Sequence, residues 1–402
     1  MSSSPQPGNS RDSLNFKDIP KLLRDVRFWN IAGQIIAVVL IVTAIAILGD
    51  NLLYNLQRLG LGLGFDFLDS QASFDIGESL IPYNPADTFG RAIAVGLLNS
   101  LRIIVLGLIL ASIVGLIVGI ARLSDNWLVR HLALVYVETF RNIPLLVQLL
   151  FWYSAVLLKL PPLEKSVTLL NSIFLTQTGL YVPWFVSNAT TGIWVLLLAI
   201  GIVGAAWAWR WRTRMMVEQG RPGRQLLWAA GAIAISLLLA LILTRREPFV
   251  ISLPQVTNDA IEGGLRMSPE FCAILIGLVF YTGSFIAEIV RAGIQSVPKG
   301  QWEAAKAVGL RGGLAMRLII LPQALRVIIP PLTSQYLNLA KNSSLAIAVG
   351  FSDIYQIAST TLNQTGRAVE VMAIIAVAYL TISLIISSVM NFLNSRVQLK
   401  ER

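Results

Sequence analysis

Hydrophobic residues run along the chain in eight long stretches, which are separated by shorter polar segments. A helix needs roughly 20 mostly apolar residues to cross the roughly 30 Å hydrocarbon core of a bilayer. Inside lipid every backbone N–H requires an internal partner, so stretches of this length are predicted to be helices. The eight predicted spans are residues 28–48, 92–121, 143–160, 192–209, 226–243, 271–290, 318–339 and 371–392.

The composition agrees with lipid as the main solvent of the chain. Of its 402 residues, 55% are hydrophobic and 13% are charged, whereas a soluble domain carries about 25% charged residues. The single cysteine, Cys272, excludes an intrachain disulfide, and the single histidine, His131, has no second histidine with which to share a metal. An integral membrane protein is therefore the first inference.

The basic residues lie mostly between the spans, so the formal net charge of +10 concerns membrane topology rather than nucleic acid. With the N-terminus placed inside, 21 of the 32 lysines and arginines fall in inside segments and 8 in outside segments. The loop after the first span is acidic, as expected for an outside segment. Both termini are therefore predicted to face the cytoplasm.

The most informative polar segment follows the sixth span. Pro298, Lys299 and Gly300 form a turn, residues 301–308 favour a short helix, and Gly309 is placed to end it. Small residues in such a helix permit close approach of a partner, and an acidic residue can pair with a basic group. These residues are Ala304, Ala305 and Glu303. An ordinary helical connector between two spans is the alternative.

The spacing around this helix resembles the EAA loop of ABC import permeases. The matching residues are Glu303-Ala304-Ala305, then Gly309 after three further residues, then Ile319-x-Leu321-Pro322 after nine more. In that family the loop is a coupling helix that sits in a cleft of the ATPase subunit. The resemblance implies that the ATPase-coupling residues are Gln301, Glu303, Ala304, Ala305 and Gly309.

Flanking motifs resemble the permeases for polar amino acids, the histidine and glutamine group. They are Tyr281–Ile294, Gly300–Glu303, Thr139–Gln148 and Leu339–Leu345. This chain is longer than the short members of that group, because it adds one span at the N-terminus and an insertion between Leu160 and Phe271. The long form resembles the general L-amino-acid permeases, whose channel pairs two different permease subunits.

The resemblance implies an all-α integral membrane fold of about eight transmembrane helices, with a type I ABC importer permease core and added helices. The predicted layout is a cytoplasmic N-terminal segment (1–27), an extra transmembrane helix (28–48), a periplasmic loop (49–90), the first part of the permease core (91–160), an insertion with two transmembrane helices (161–268), the second part of the core with the coupling loop (269–395) and a cytoplasmic tail (396–402).

The resemblance also implies the partners. Because the chain lacks a G-x-x-x-x-G-K-[ST] loop, it is expected to be a non-catalytic subunit that binds no cofactor itself. ATP and Mg would be held by a cytoplasmic ATP-binding-cassette ATPase dimer. The other expected partners are a second related permease subunit, a periplasmic amino-acid-binding protein, an amino-acid substrate and the lipid bilayer. The expected location is the bacterial inner membrane, and no nucleic acid is expected.

Polar residues at membrane depth are costly and usually line a cavity or a helix contact. The candidates for the substrate pathway are Asn99, Arg102, Gln335, Asn338, Lys341, Asn342, Ser343 and Ser344. Lys341 or Arg102 could meet the substrate carboxylate. Alternatively, Arg102 snorkels to the outer interface and Lys341 sits on the external rim. Three prolines are expected to kink or break the span that leads to this cluster: Pro322, Pro330 and Pro331.

Two other classes of protein are considered for a polytopic chain. A stand-alone secondary transporter or channel is expected to show internal symmetry or membrane-buried carboxylates. Glu288 is the only acidic residue within the predicted spans, and an ion pair with Arg291 is favoured for it over substrate contact. A membrane enzyme is expected to cluster His, Asp or Glu at an interface. The ABC importer permease is therefore the preferred interpretation.

Overall fold

The computed structural model describes residues 26–58, 64–163, 166–169, 172–220, 222, 224–245, 247–257 and 260–397. Most of the predicted N-terminal segment 1–27 and of the predicted tail 396–402 lies outside the described residues. The chain divides into two compact units, the first ending at Asp66 and the second beginning at Phe67.

The first unit contains helix α1, which runs from Val26 to Arg58. Its stretch Trp29–Asn55 has the length and apolar character of a membrane span. Large apolar side chains such as Ile31 and Leu40 are exposed along it. A helix that is apolar all round suits a lipid environment, and the predicted first span lies within this longer helix.

The second unit contains the remaining described helices. They are α2 (Phe89–Ala121), α3 (Trp127–Asn142), α4 (Leu145–Leu150), α5 (Thr191–Gln219), α6 (Gln225–Thr244), α7 (Pro269–Gln295), α8 (Lys299–Ala307), α9 (Gly312–Ala315), α10 (Leu321–Asn342), α11 (Ile354–Thr365) and α12 (Ala368–Val397). Short 3-10 turns cover Asp66–Asp69, Leu157–Lys159 and Ser343–Val349, and π turns cover Phe151–Val156 and Met316–Ile320.

Helices α2 and α7 form the centre of the second unit and make the most extensive contact between any two described elements. Helix α10 packs on α7 and α12, and α11 packs on α2. Among the described residues, seven helical segments are long and apolar enough to cross a membrane, and a bent pair of helices makes an eighth. This confirms the predicted fold of about eight transmembrane helices.

The third predicted span, 143–160, needs correction. The structure pairs α3 with the segment Leu145–Lys159, and the two are bent by 105° relative to each other. The bend occurs because Pro144 has no N–H to donate and forces Ile143 into an extended conformation. The sequence prediction misses α3 because charged residues interrupt its apolar pattern.

The insertion 161–268 contains the two predicted transmembrane helices, α5 and α6, which pack extensively on each other. It also contains short strands, so the all-α prediction is corrected locally. These are β1 (Val167–Leu169), β2 (Ile173–Thr176), β3 (Gly179–Val182), β4 (Trp184–Ser187), β5 (Phe249–Ser252), β6 (Gln255–Thr257), β7 (Ala260–Glu262) and β8 (Leu265–Met267). The β-branched and aromatic residues of these segments favour a pleated backbone.

The strands form a four-stranded antiparallel sheet in the order β1-β2-β3-β8, and two ribbons, β4–β5 and β6–β7. In the larger sheet Phe174 pairs with Tyr181. Strand β8 leads directly into Ser268, whose hydroxyl caps α7 by accepting the Phe271 N–H at 3.1 Å. The sheet therefore lies at the N-terminal end of the most buried transmembrane helix.

The prolines that are expected to kink or break the seventh span do not break helix α10. The helix is continuous from Leu321 to Asn342, with Pro330 and Pro331 in its interior. Pro322 is the second residue after the π turn Met316–Ile320, whose last residue already has helical dihedral angles. The neighbouring helices α7 and α12 hold the proline-containing segment in its helical form.

The contact between α2 and α7 depends on glycines. A Cβ atom at Gly115 would lie 2.5 Å from the Cβ of Ile286 and 3.0 Å from the carbonyl oxygen of Gly283. At Gly119 it would lie 2.8 Å from the carbonyl oxygen of Ala287. The small residues therefore let the two backbones approach closely, as they do at many helix contacts in membranes.

We predict that Gly115→Ala separates α2 from α7 and destabilises the protein by about 1–3 kcal/mol, because the added methyl group overpacks a close contact. Thermal unfolding of the purified protein measures this effect. Gly231→Ala in α6 is the matched control, because a Cβ atom there meets nothing within 4 Å. Equal unfolding temperatures for the two variants would contradict the close-contact argument.

Candidate functional site

The short helix after α7 is formed as the sequence predicts. Helix α8 ends in a Schellman motif, in which the Leu310 N–H donates to the Ala305 carbonyl at 3.0 Å and the Gly309 N–H donates to the Lys306 carbonyl at 2.9 Å. Gly309 adopts a φ of 77°, a left-handed conformation that glycine adopts without strain. The glycine therefore defines where the helix stops and where the chain turns toward α10.

The two faces of α8 differ in their surroundings. Gln301, Glu303 and Ala304 are exposed, whereas Ala305 is completely buried against its own chain. Trp302 packs against the core of the second unit. The sequence predicts that both alanines permit close approach of a partner. In the structure Ala304 is available at the surface, whereas Ala305 is enclosed by its own chain.

Helix α8 is linked to the long helix α10. The Gln323 side chain donates a hydrogen bond to the Gln301 side-chain oxygen at 3.3 Å. The π turn Met316–Ile320 precedes α10 and contacts α8. Wide turns of this kind often occur at functional sites, where they change the direction of a helix. Displacement of α8 would therefore act on the start of α10.

An ionic cluster lies near the C-terminal end of α7. The Arg291 Nε donates to the Glu288 carboxylate at 3.1 Å, and Arg122 at the end of α2 lies 3.2 Å from the same carboxylate. The guanidinium of Arg141 lies over the ring of Phe285 at 5.1 Å. The favoured ion pair between Glu288 and Arg291 is thus formed, and Arg122 ties it to α2.

Helix α10 carries an exposed polar face. Ser334, Asn338 and Lys341 are exposed and are spaced by four and three residues, so they share one side of the helix. Gln335, Asn342 and Ser344 are partly buried. Hydrocarbon cannot hydrogen-bond such groups, so this face requires water or another protein surface. Ser343 is buried and donates its hydroxyl to the Ala340 carbonyl of its own helix at 2.8 Å.

The other two pathway candidates lie in a buried network near the N-terminal ends of α2 and α7. The Asn99 amide donates to the Glu78 carbonyl at 2.8 Å and to the Ser352 carbonyl at 2.9 Å. Arg102 forms an ion pair with the Glu78 carboxylate and stacks over the ring of Phe271 at 4.0 Å. The other Glu78 carboxylate oxygen accepts the Ser268 N–H at 3.0 Å.

This network fastens the segment around Glu78 to the membrane helices. The side chain of Arg102 is only 10% exposed, so it does not snorkel along the surface in this state. Its Nη2 atom is buried and makes no hydrogen bond within the described part of the chain. One donor is therefore left for water or a ligand, and contact with a substrate carboxylate stays a prediction.

Comparison with known proteins identifies the family. The family described as "binding-protein-dependent transport system inner membrane component" matches residues 226–399. The chain is 43% identical over 378 residues to the general L-amino acid transport system permease protein AapQ of Rhizobium johnstonii, with 94% of each chain covered. This protein is an amino-acid ABC transporter permease.

Two further relatives agree with this assignment. The permease is 44% identical over 382 residues to the putative amino-acid ABC transporter permease protein YhdX of Escherichia coli, with 94% of this chain and 95% of YhdX covered. It is 42% identical over 412 residues to the glutamate/glutamine/aspartate/asparagine transport system permease protein BztB of Rhodobacter capsulatus, with 95% and 96% covered. The chain is thus a multi-pass protein of the inner membrane, as predicted.

Sequence reasoning about the permease missed Glu78. The acidic loop 49–90 contributes to the topology prediction only through its charge, although Arg102 within a span already calls for a buried counter-ion. Reasoning from the sequence also missed Glu138, which lies exposed in α3 and accepts a hydrogen bond from the Asn142 side chain at 3.3 Å. The charged residues of α3 interrupt its apolar pattern, so the sequence does not predict that Glu138 lies within a span.

Asp353 is a buried acid between the span segments Gly312–Val349 and Ala368–Val397. Its carboxylate caps α11 by accepting the Gln356 N–H at 2.8 Å. Burial raises the pKa of Asp353 to about 7, against the opposing effect of the Gln356 N–H. The adjoining turn rests on α2, because the Ser100 hydroxyl accepts the Ile354 N–H at 3.0 Å.

We predict that the Glu78–Arg102 pair is required for stability. Glu78→Gln or Arg102→Gln should each cost about 3–5 kcal/mol, since each leaves one buried charge without its partner. The double variant should lose less than the sum of the two. Thermal unfolding measures all three variants. The control is Arg91→Gln, which opens the exposed Arg91–Asp87 pair together with the exposed hydrogen bond from Arg91 to the Pro82 carbonyl, and it should cost about 1 kcal/mol. Strict additivity would contradict the predicted coupling.

We predict a pH dependence of stability from Asp353. Its pKa in the folded protein lies above the ordinary value of 3.8, at about 7, so stability is lost as the pH rises through this window. The loss should reach a few kcal/mol, because each unit of pKa difference corresponds to about 1.4 kcal/mol. Asp353→Asn keeps a cap but cannot ionise.

Unfolding temperatures measured across this pH window test the prediction. The variant Asp353→Asn should fall less steeply with pH than the unmodified permease and should exceed its stability at the alkaline end. Asp125→Asn, which removes an exposed carboxylate, controls for the loss of one charge. Parallel curves for Asp353→Asn and the unmodified permease would refute the assignment.

Proposed function

We propose that the permease forms, together with a second related permease subunit, the pathway by which L-amino acids are imported, driven by a cytoplasmic ATPase dimer. The observation that carries this proposal is the exposed face of α8 with Glu303 and Ala304, on a helix that is held to the transmembrane helices by Ala305 and Trp302. The names of AapQ and BztB support L-amino acids as the substrate class.

The proposed partners occupy opposite sides of the membrane. ATP and Mg are bound by the ATPase dimer, and this chain binds no cofactor of its own. A periplasmic amino-acid-binding protein delivers the substrate on the outer side. The excess of lysine and arginine in the segments joined to α8 supports a cytoplasmic location for this helix and for both termini.

Coupling is proposed to run from α8 to α10. ATP binding by the ATPase shifts α8, which the Gln301–Gln323 hydrogen bond and the π turn connect to α10. Helix α10 presents Ser334, Asn338 and Lys341 on one face, and this face lines the substrate pathway. The same movement therefore changes which side of the membrane the polar face meets, which is alternating access driven by a partner.

The five coupling candidates have different proposed roles. Glu303 and Ala304 contact the ATPase, and Ala305 seats the helix. Gln301 passes the displacement to α10, and Gly309 ends the helix so that the chain can turn. Of the pathway candidates, Asn338 and Lys341 are proposed to meet the substrate, since they are exposed on one face.

We predict that Glu303→Lys reduces amino-acid uptake by more than about tenfold, because a like charge placed opposite a basic partner group costs several kcal/mol. The variant should also fail to co-purify with the ATPase, while its amount in the membrane stays unchanged. Uptake of labelled L-amino acids by cells and affinity purification of the complex measure the two effects.

Glu218→Lys is the matched control, since it reverses an exposed charge on α5, outside the coupling helix. It should retain uptake and ATPase association. Identification of all chains that co-purify with the unmodified permease tests the partner assignments directly. Normal uptake in Glu303→Lys, or the absence of any ATPase from the purified complex, would overturn the proposal.

A further inference from the structure

The helical hairpin of the insertion contains an apolar groove that the transport mechanism does not use. The groove lies between α5 and α6 near the connection of the two helices and has a volume of about 450 Å³. Its lining combines small residues with tryptophans. The small residues are Gly204, Ala208, Gly231 and Ala232, and the tryptophans are Trp207, Trp211 and Trp228.

The groove is a consequence of how the hairpin packs. Helices α5 and α6 meet through other residues, chiefly Gly201, Ala205, Ser236 and Ala240, which are buried between them. A Cβ atom at Gly201 would lie 2.1 Å from the Ser236 hydroxyl oxygen, whereas at Gly231 it would meet nothing within 4 Å. Gly201 therefore permits the close contact between the two helices, whereas Gly231 leaves open space beside that contact.

The outer faces of the hairpin are apolar. Among the helices that the structure describes, α5 and α6 pack extensively only against each other. Large side chains such as Val203, Leu227 and Ile242 are exposed along them. In a bilayer such faces contact acyl chains, so the groove opens toward lipid.

One end of the groove is cationic. The guanidinium of Arg212 lies over the rings of Trp228 and Trp211, at 5.0 and 5.7 Å from their centroids. Trp207 and Trp211 stack on each other at 5.7 Å. Arg210 and Arg214 lie in the same C-terminal part of α5, Arg224 directly precedes α6, and all three are exposed. Tryptophan and arginine together are typical of the depth at which lipid headgroups meet the hydrocarbon.

The groove thus joins an apolar slot to a positive charge at headgroup depth. Helix α6 has 20 residues and so spans roughly 30 Å, with Trp228 one turn from the end that carries the arginines. A ligand that matches this arrangement has a hydrocarbon chain and an anionic head. Basic pockets between transmembrane helices are known to suit anionic phospholipid headgroups.

We propose that this groove binds one anionic phospholipid, with an acyl chain between Trp207, Gly231 and Trp228 and the phosphate on Arg212. By the orientation proposed above, this lipid belongs to the cytoplasmic leaflet. The leaflet rests on that proposal, whereas the groove and its charge do not. The added helices of this long permease thereby become a lipid-binding brace at its periphery.

Native mass spectrometry of the permease purified with its associated subunits tests this proposal, with phosphatidylglycerol as the probe and phosphatidylcholine as the neutral comparison. The unmodified complex should retain one phosphatidylglycerol for each copy of this chain. Arg212→Gln should weaken this binding about tenfold or more, since it removes a charged hydrogen bond to phosphate. Gly231→Leu should weaken it similarly, because the new side chain fills the groove.

Two matched controls separate the site from general attraction. Arg214→Gln removes the same charge two residues away, on the opposite side of α5. Gly192→Leu adds the same side chain at the other end of α5, where a Cβ atom also meets nothing within 4 Å. Both should retain phosphatidylglycerol within about twofold of the unmodified complex, as surface substitutions commonly do.

Three results would overturn the proposal. The first is an equal loss in Arg212→Gln and Arg214→Gln, which would indicate general electrostatic attraction only. The second is unchanged binding in Gly231→Leu or equal retention of phosphatidylcholine, either of which would exclude the groove as an anionic-lipid site. The third is cross-linking of Gly231→Cys to a second permease chain in the intact complex, which would show that protein rather than lipid covers the groove.

Discussion

Hydrocarbon offers no hydrogen-bond partner, and this constraint sorts the polar side chains of the permease into two groups. In the first group the partners come from the chain itself. Arg102 is paired with Glu78, and Asn99 is bonded to the carbonyls of Glu78 and Ser352. In the second group, Asn338 and Lys341 remain exposed on α10. The first group links α2 to the segment around Glu78 and to the turn at Ser352, and the second requires water or another protein surface.

Helix α8 is joined to the long helices by a few contacts. Trp302 packs against the core of the second unit, and the Gln301–Gln323 hydrogen bond joins α8 to α10. Helix α10 packs on α7, whose close contact with α2 depends on Gly115 and Gly119. Helices α8, α10, α7 and α2 are therefore joined by a continuous series of contacts.

The insertion differs from the core in how it is stabilised. Core helices bury most of α7 against α2, α10 and the bent pair α3–α4. The hairpin of α5 and α6 instead packs on itself and presents apolar faces outward, with its strands extending beyond the helix ends. The hairpin is therefore stabilised mainly by contact between its own two helices.

The sequence by itself determined the approximate number of spans, the permease class and the position of the short helix α8, including its end at Gly309. These features depend on local apolarity, on glycine and proline chemistry and on motif spacing, which are properties of neighbouring residues. Only the tertiary structure decided that Glu78 is the partner of Arg102, that Asn99 reaches a carbonyl 253 residues away, and that Ala305 faces inward while Ala304 faces outward. Which polar side chains pair, and which side of a helix is buried, depend on how elements far apart in the chain pack together. No local pattern carries that information.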